Sequence, residues 1–324
     1  MSDNIKNVTT IGNAIVDVIS KCDDDFLNSH SIVKSAMNLI DESKSQSLYQ
    51  SLQSPQVISG GSAANTAVGL ASFGSKAAFI GKVRNDELGK KFLSNIVEAG
   101  VQFTTPPSAE GPRTASSIIL VTPDAERSMN TYLGACVELD SDDIDENIVK
   151  NSQVTYLEGY LYDPPRAKEA FVKAANIAKK SNNKVSMSLS DSFCVERYRS
   201  EFHSFIKNHV DILFANEDEA KSLFETDLAE AKNQFLNLGI EVALTLGGKG
   251  STILRGGLWI DIEPGNVQRV EDTTGAGDLF AAGYLHGRTT GGDSKQCGYM
   301  GSIAASEIIS HIGARPEVSL KTLI

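Results

Sequence analysis

Residues 272–283 read DTTGAGDLFAAG: a run of small residues, then an acid, Asp278, then an apolar stretch. Gly275, Ala276 and Gly277 carry little or no side chain, so backbone N–H groups there can come close to a ligand. From Asp278 on, Leu279, Phe280, Ala282, Gly283 and Leu285 give an apolar face at helical spacing. A small-residue turn that feeds a helix N-terminus attracts anions, because unpaired N–H groups and the positive end of the helix dipole converge there. A carboxylate inside such a site would repel a phosphate that only has to be held. It makes sense where the acid takes a proton while charge builds on a phosphoryl group beside it. The structural alternative is a helix entry with Asp278 as a capping acid, helped by Thr273 or Thr274.

Composition limits what else the chain can be. Its 324 residues suit one large domain or a large domain with a smaller addition. A net charge of −11 argues against broad nucleic-acid binding, which needs a basic face. Any phosphate site is therefore local, built from backbone dipoles and a few cations. Cys22, Cys136, Cys194 and Cys297 lie far apart with no C-x-x-C, a pattern that fits reduced thiols in the cytoplasm better than disulfides or zinc. The opening MSDNIKNVTT is polar and has no signal-peptide core, and no apolar run approaches a membrane span.

The 272–283 motif resembles the C-terminal signature of the ribokinase-like (PfkB) family of carbohydrate and nucleoside kinases, and the match runs through the whole motif. The resemblance implies an anion hole at Gly275, Ala276 and Gly277 and a general base at Asp278. Residues 60–74, GGSAANTAVGLASFG, carry the family's N-terminal pattern GG-x-x-x-N-x-A at Gly60, Gly61 and Asn65. Ser62 there reads as a helix cap, with the helix ending at Gly74. By resemblance the glycines bring backbone to the acceptor and Asn65, beside Ser62, bonds its hydroxyls; by packing alone this is a small-residue helix set close to the sheet. Asn13 and Asp17 are polar residues in apolar surroundings just after the first strand, 8–11. They are either a turn Asn and a satisfied structural Asp or, as the family implies, ligands of the acceptor's hydroxyls. Gly81 and Asp86 match a further family position, where Arg84 replaces a glycine.

On the nucleotide side, Asn216 and Glu219 form N-x-x-E after an apolar strand at 210–215. Spacing alone allows a capping role; the resemblance implies organisation of Mg2+, chiefly through waters, and contact with ATP phosphates. Thr245, Gly247 and Gly250 in TLGGKGS resemble the family's nucleotide contacts, and the string is not a Walker loop. Asp272 and Thr274 resemble a monovalent-cation loop of some relatives, which leaves K+ open. Arg127 follows a Pro-Asp turn between two strands, at 114–122 and 129–133. It is either an exposed hairpin-tip cation or the arginine that closes over the phosphates in adenosine-phosphorylating relatives.

These residues need an α/β frame. From residue 140 on, helices and strands alternate, including a strand at 154–158, and two helix–strand units follow the helix after Asn216. A helix at 86–98 should pack through Leu88, Phe92, Leu93, Ile96 and Val97. The expected architecture is a doubly wound, mostly parallel sheet flanked by helices, with a small β-rich lid. Residues 1–16, 56–107 and 138–324 form the large domain, and 17–55 and 108–137 the lid. The resemblance implies a cytoplasmic, ATP- and Mg2+-dependent kinase acting on a primary hydroxyl of a small sugar or nucleoside, as monomer or homodimer. YLEGYLYDPP, LSDSFCVERYRSEF and ISHIGARP resemble members that convert adenosine to AMP. A ribokinase- or fructokinase-type enzyme is the alternative, and a non-catalytic sensor on the same fold is a further one.

Overall fold

The computed structural model describes residues 5–124 and 126–324; the polar opening residues 1–4, and position 125 in the turn expected at 123–127, lie outside the described residues. The strands are β1 Lys6–Ile11, β2 Ile15–Lys21, β3 Met37–Leu39, β4 Gln56–Gly60, β5 Ala77–Ile80, β6 Gln102–Phe103, β7 Ala115–Val121, β8 Arg127–Tyr132, β9 Ser152–Glu158, β10 Lys184–Ser188, β11 Ile212–Asn216, β12 Glu241–Thr245, β13 Ser251–Arg255 and β14 Leu258–Ile262. The helices are α1 Asp24–Ser29, α2 Glu42–Ser51, α3 Ser62–Ser72, α4 Glu87–Glu98, α5 Glu146–Lys150, α6 Pro165–Lys180, α7 Ser192–His209, α8 Glu217–Phe224, α9 Leu228–Leu238, α10 Ala276–Thr289 and α11 Ser294–Ile308.

Among the described residues, one sheet has the order β14-β13-β12-β11-β10-β9-β1-β5-β6 and a second the order β3-β8-β7-β2-β4. The large sheet is parallel from β12 to β6. Its strands bury both faces, so neighbouring residues feed opposite cores. Phe214, Tyr156 and Phe79 join the layer with α3, α10 and α11, while Leu213, Leu157 and Ile80 join the layer with α6, α7 and α8. That two-sided burial is why β5 and β11 read as nearly continuous apolar runs.

The helix layer under α10 is set by glycine. A methyl at Gly69 of α3 would lie 2.6 Å from Ala282 Cβ and Leu279 Cδ1 of α10. At Gly301 of α11 it would lie 2.9 Å from the Phe280 ring. The small-residue helix therefore packs against another helix, not only against the sheet as its composition suggested. α10 is held between two close neighbours, which fixes where its first turn points.

Several expectations change. Residues 56–60, placed with the large domain by the sequence reading, form β4, which pairs antiparallel with β2 in the second sheet. β12 is followed by the antiparallel pair β13–β14 and not by another helix–strand unit. On α4, Phe92 and Ile96 are buried, whereas Leu93 and Val97 are exposed. Asp86 caps that helix by accepting from the Gly89 N–H at 2.8 Å. Arg127 opens β8 opposite Val121, so it belongs to the ladder and not to the hairpin tip. Cys22, Cys136, Cys194 and Cys297 are free thiols. No helix among the described residues is long and apolar enough to cross a membrane.

Candidate active site

From β1 the chain adds β5 and β6 on one side, then returns to β1 and adds β9, β10, β11 and β12 on the other. The strand order reverses between β1 and β9, and a parallel sheet leaves its ligand crevice beyond the carboxyl ends of such strands. Asn13 lies two residues past β1, and Glu158 ends β9. Glu158 is 1 % exposed. One of its oxygens accepts from Asn13 N at 3.2 Å and Asn13 Nδ2 at 2.8 Å, the other from Ala63 N at 2.7 Å. Burial pushes its carboxyl up to about 7, against the pull of the Ala63 and Asn13 donors. Gly12 makes room for it, since a methyl there would overlap a Glu158 oxygen.

α10 delivers Asp278 to this crevice. Ser62 Oγ donates to Asp278 Oδ1 at 2.6 Å and Asn65 Nδ2 donates to Oδ2 at 2.9 Å. Ser62 is thus not the cap of α3. Gly61, at φ +97°, takes the cap position without a side-chain bond and frees the serine to reach Asp278. Burial raises the Asp278 carboxyl above the usual range, and the Ser62 and Asn65 bonds and the Arg315 charge pull it back. Gly275 is left-handed at φ +81° and starts the helix. Among the described residues, no backbone acceptor takes the N–H of Gly275 or Gly277, and a side chain at Gly277 would meet open space. The Ala276 N–H is directed to Thr273 O at 3.2 Å. The expected three-residue anion hole therefore presents two free donors at its glycines, while Ala276 closes the turn.

Asp17 on β2 faces the same space. Its carboxyl is pushed up to about 7 by burial, with Arg315 pulling down and Asp278 pushing up. Gly60 admits it, because a methyl there would overlap the carboxylate. Gly61 sits equally close to the Asn13 carbonyl. Asn13, Asp17, Gly60, Gly61, Ser62, Asn65 and Asp278 are therefore brought together. Asn13 Oδ1 and Asn65 Oδ1 are buried without a partner among the described residues.

At the carboxyl end of β11, Asn216 caps α8 in a reciprocal box: Glu219 N donates to Asn216 Oδ1 at 2.8 Å, and Asn216 N donates to Glu219 Oε2 at 3.0 Å. Asn216 Nδ2 also donates to Glu219 Oε1 at 2.7 Å. Burial raises Glu219 to about 7. With both oxygens already engaged and no cluster of three metal-ligating side chains among the described residues, this set suits contact through metal-bound water and not a direct cage. Thr245 ends β12, and Gly247 lies in an open turn at φ +58°. Gly250 has a different cause: a methyl there would overlap the Ile262 carbonyl of β14.

Arg127 is not a surface cation. Its Nη1 pairs with Asp272 Oδ2 at 2.7 Å, with side-chain exposures of 16 % and 5 %. Asp272 also accepts from Thr274 N at 3.0 Å and Gly313 N at 2.9 Å. The carboxylate is thereby committed to the loop and to Arg127, an arrangement that does not fit K+ bound by Asp272.

Glu158 and Arg315 are the site residues that the sequence reading missed. Glu158 had a signal, an acid closing a buried strand at the binding edge of the sheet. Arg315, a lone cation beyond the last long helix, had none.

The chain is 49 % identical to an adenosine kinase of Sinorhizobium meliloti, whose solved structure superposes with a TM-score of 0.90 over 98 % of each chain. It is 31 % identical over 242 residues to a ribokinase of Haemophilus influenzae, 72 % of this chain and 75 % of that one. To a 5-dehydro-2-deoxygluconokinase of Clostridium perfringens it is 28 % identical over 264 residues, 78 % of both. The pfkB family carbohydrate kinase model matches residues 7–321 and so spans the switch-point crevice and the glycine turn before Asp278; the chain belongs to that family.

Proposed function

We propose that the protein transfers the γ-phosphoryl group of ATP to the 5′-hydroxyl of adenosine, giving AMP and ADP. The observation that carries the acceptor side is the pair of buried, unpartnered oxygens, Asn13 Oδ1 and Asn65 Oδ1, set with Asp17 around Asp278. Acceptors without donors are costly to bury, and a polyhydroxyl ligand satisfies them with its O–H groups. The preference for adenosine is supported by the higher identity to the adenosine kinase than to the ribokinase and the 5-dehydro-2-deoxygluconokinase, while a probable sugar kinase of Rhizobium etli, at 48 % identity, leaves the choice of acceptor to kinetics.

In this reading Asp278 accepts the hydroxyl proton as the oxygen attacks the γ-phosphorus. The bond to the bridging oxygen breaks, and ADP leaves with that electron pair. The N–H groups of Gly275 and Gly277 and the α10 dipole stabilise the charge on the transferred group. Ser62 and Asn65 aim the carboxylate. Thr245 and Gly247 line the nucleotide side, and Asn216 and Glu219 would hold Mg2+ through its waters; the ion's chemistry is to neutralise the phosphates. A sensor would need neither a base nor free N–H donors beside it.

Steady-state kinetics with adenosine, ribose, fructose and 5-dehydro-2-deoxygluconate would test the acceptor. Adenosine should have the largest kcat/KM. A larger value for any of the sugars would reject adenosine and favour the sugar-kinase reading, which the ribokinase and gluconokinase relatives support.

A further inference from the structure

The segment after α11 runs beneath the glycine turn. Gly313 N bonds Asp272, and a methyl at Gly275 would lie 2.9 Å from Ala314 Cβ. The next residue, Arg315, turns inward. Its Nε and Nη2 donate to Ser59 O at 2.9 and 2.6 Å, Nη2 to Ser59 Oγ at 3.1 Å, and Nη1 to Ala64 O at 2.8 Å. Ser59 belongs to β4 and Ala64 to the first turn of α3. Between them lie Gly60, Gly61 and Ser62, which make room for Asp17, approach the Asn13 carbonyl and bond Asp278. β4 belongs to the second sheet, and α3 packs on the large one. The guanidinium therefore spans the junction between the two sheets where the acceptor groups are mounted. None of these bonds goes to a carboxylate. Arg315 is only partly exposed, so it still gains from countercharge, and it faces Asp17 and Asp278 without pairing to either.

We propose that Arg315 is a positioning residue for phosphoryl transfer, gripping the junction of β4 and α3 and setting a fixed positive charge behind Asp17 and Asp278. The assignment rests on reading Asp278 as the base. Burial lowers the guanidinium to about 10, with both aspartates pulling back, so it stays charged at neutral pH. Asp17 from β2, Tyr156 and Glu158 from β9, and Tyr160 just beyond it also face Asp278; among the described residues Arg315 is the cation that acts on Asp278, and Arg127 joins it in acting on Asp17. Arg315 opposes burial, which raises the Asp278 carboxyl above the range of an exposed one. Its planar fork reaches two carbonyls on different elements, which an ammonium does not reproduce.

The test uses Arg315→Gln and Arg315→Lys in the full chain. Carbon-13 NMR titration of the aspartate carboxyls reads Asp278 directly, its signal assigned by its loss in Asp278→Asn. Arg315→Gln should move the Asp278 midpoint up by about one pH unit. Arg315→Lys should leave the midpoint within about 0.3 unit yet raise the KM for adenosine, or for ribose if ribose is the better acceptor, about tenfold with the KM for ATP unchanged. An unmoved midpoint in Arg315→Gln overturns the charge role. Equal changes in both KM values of Arg315→Lys, or none, overturn the grip, and they decide the matter should Arg315→Gln fail to fold. Full kcat in Asp278→Asn would instead sink the base assignment, a result separate from either Arg315 outcome.

Discussion

Replacing Asp278 with Asn separates chemistry from packing. The side chains are nearly isosteric, and the surroundings can accept the new amide. If the NH2 takes the position facing Ser62, that hydroxyl can turn to accept from it; if it faces Asn65, that amide can flip so that its Oδ1 accepts instead. Burial already raises the Asp278 carboxyl. For an acid raised in the folded state, stability is lost as pH rises through the folded value, and a neutral amide carries no such loss. Asp278→Asn should therefore melt no lower than the parent at pH 8. What it loses is the proton acceptor. General-base removal costs roughly 10² to 10⁴ in rate, which at ~1.4 kcal/mol per tenfold is about 3 to 5 kcal/mol of activation free energy. Single-turnover quench measurements with radiolabelled ATP and adenosine read the chemical step, and calorimetry reads binding of both substrates. The parent rate should also fall with acidification as Asp278 takes its proton, and the variant should lack that limb. A chemical step within about tenfold of the parent, below the range for losing a base, would refute the reasoning. So would a loss of binding as large as the loss of rate.

Glu158 is raised to about 7 from an ordinary value near 4.5, so its folded-state cost grows as pH climbs between those values and is complete above them. Glu158→Gln should flatten the decline in unfolding free energy from pH 5 to pH 8 by up to about 1.4 kcal/mol per pH unit, and urea melts showing the parental slope would contradict this. Arg127→Ala should lower kcat about tenfold or more, in line with loss of a charge-stabilising group, while the adenosine dissociation constant holds. An unaltered single-turnover rate would leave Arg127 as the structural partner of Asp272 alone. Gly69→Ala pushes a methyl into Ala282 and Leu279 and should cost about 1–3 kcal/mol, checked by urea unfolding; parental stability would mean that α3 and α10 are free to separate.

The frame was largely legible because its signals are local. Apolar runs such as 210–215 mark strands buried on both faces, and Asp86 and Asn216 announce the helices they cap. The glycines before Asp278 and the GG pair before Asn65 marked the two loops that meet in the crevice, since glycine there answers to positive φ and close approach. Other details had no local mark. Nothing local in residues 56–60 assigns them to one sheet or the other, and the pairing with β2 alone decides between them. Arg127 sits beside a turn in the chain, yet its partner, Asp272, lies far along it.

The sequence by itself determined the α/β class, the glycine turn at 275–277 and the acid that follows it, because those rest on residue type and short spacing. The tertiary structure decided which groups surround that acid. Glu158 and Arg315 reach the crevice from the end of β9 and from beyond α11. Ser62 gave up a cap for Asp278, and burial rather than composition raised the carboxyls of Asp17, Glu158 and Asp278. Desolvation and hydrogen-bond partnership depend on what the folded chain stacks around a group, and no short stretch of residues carries that information.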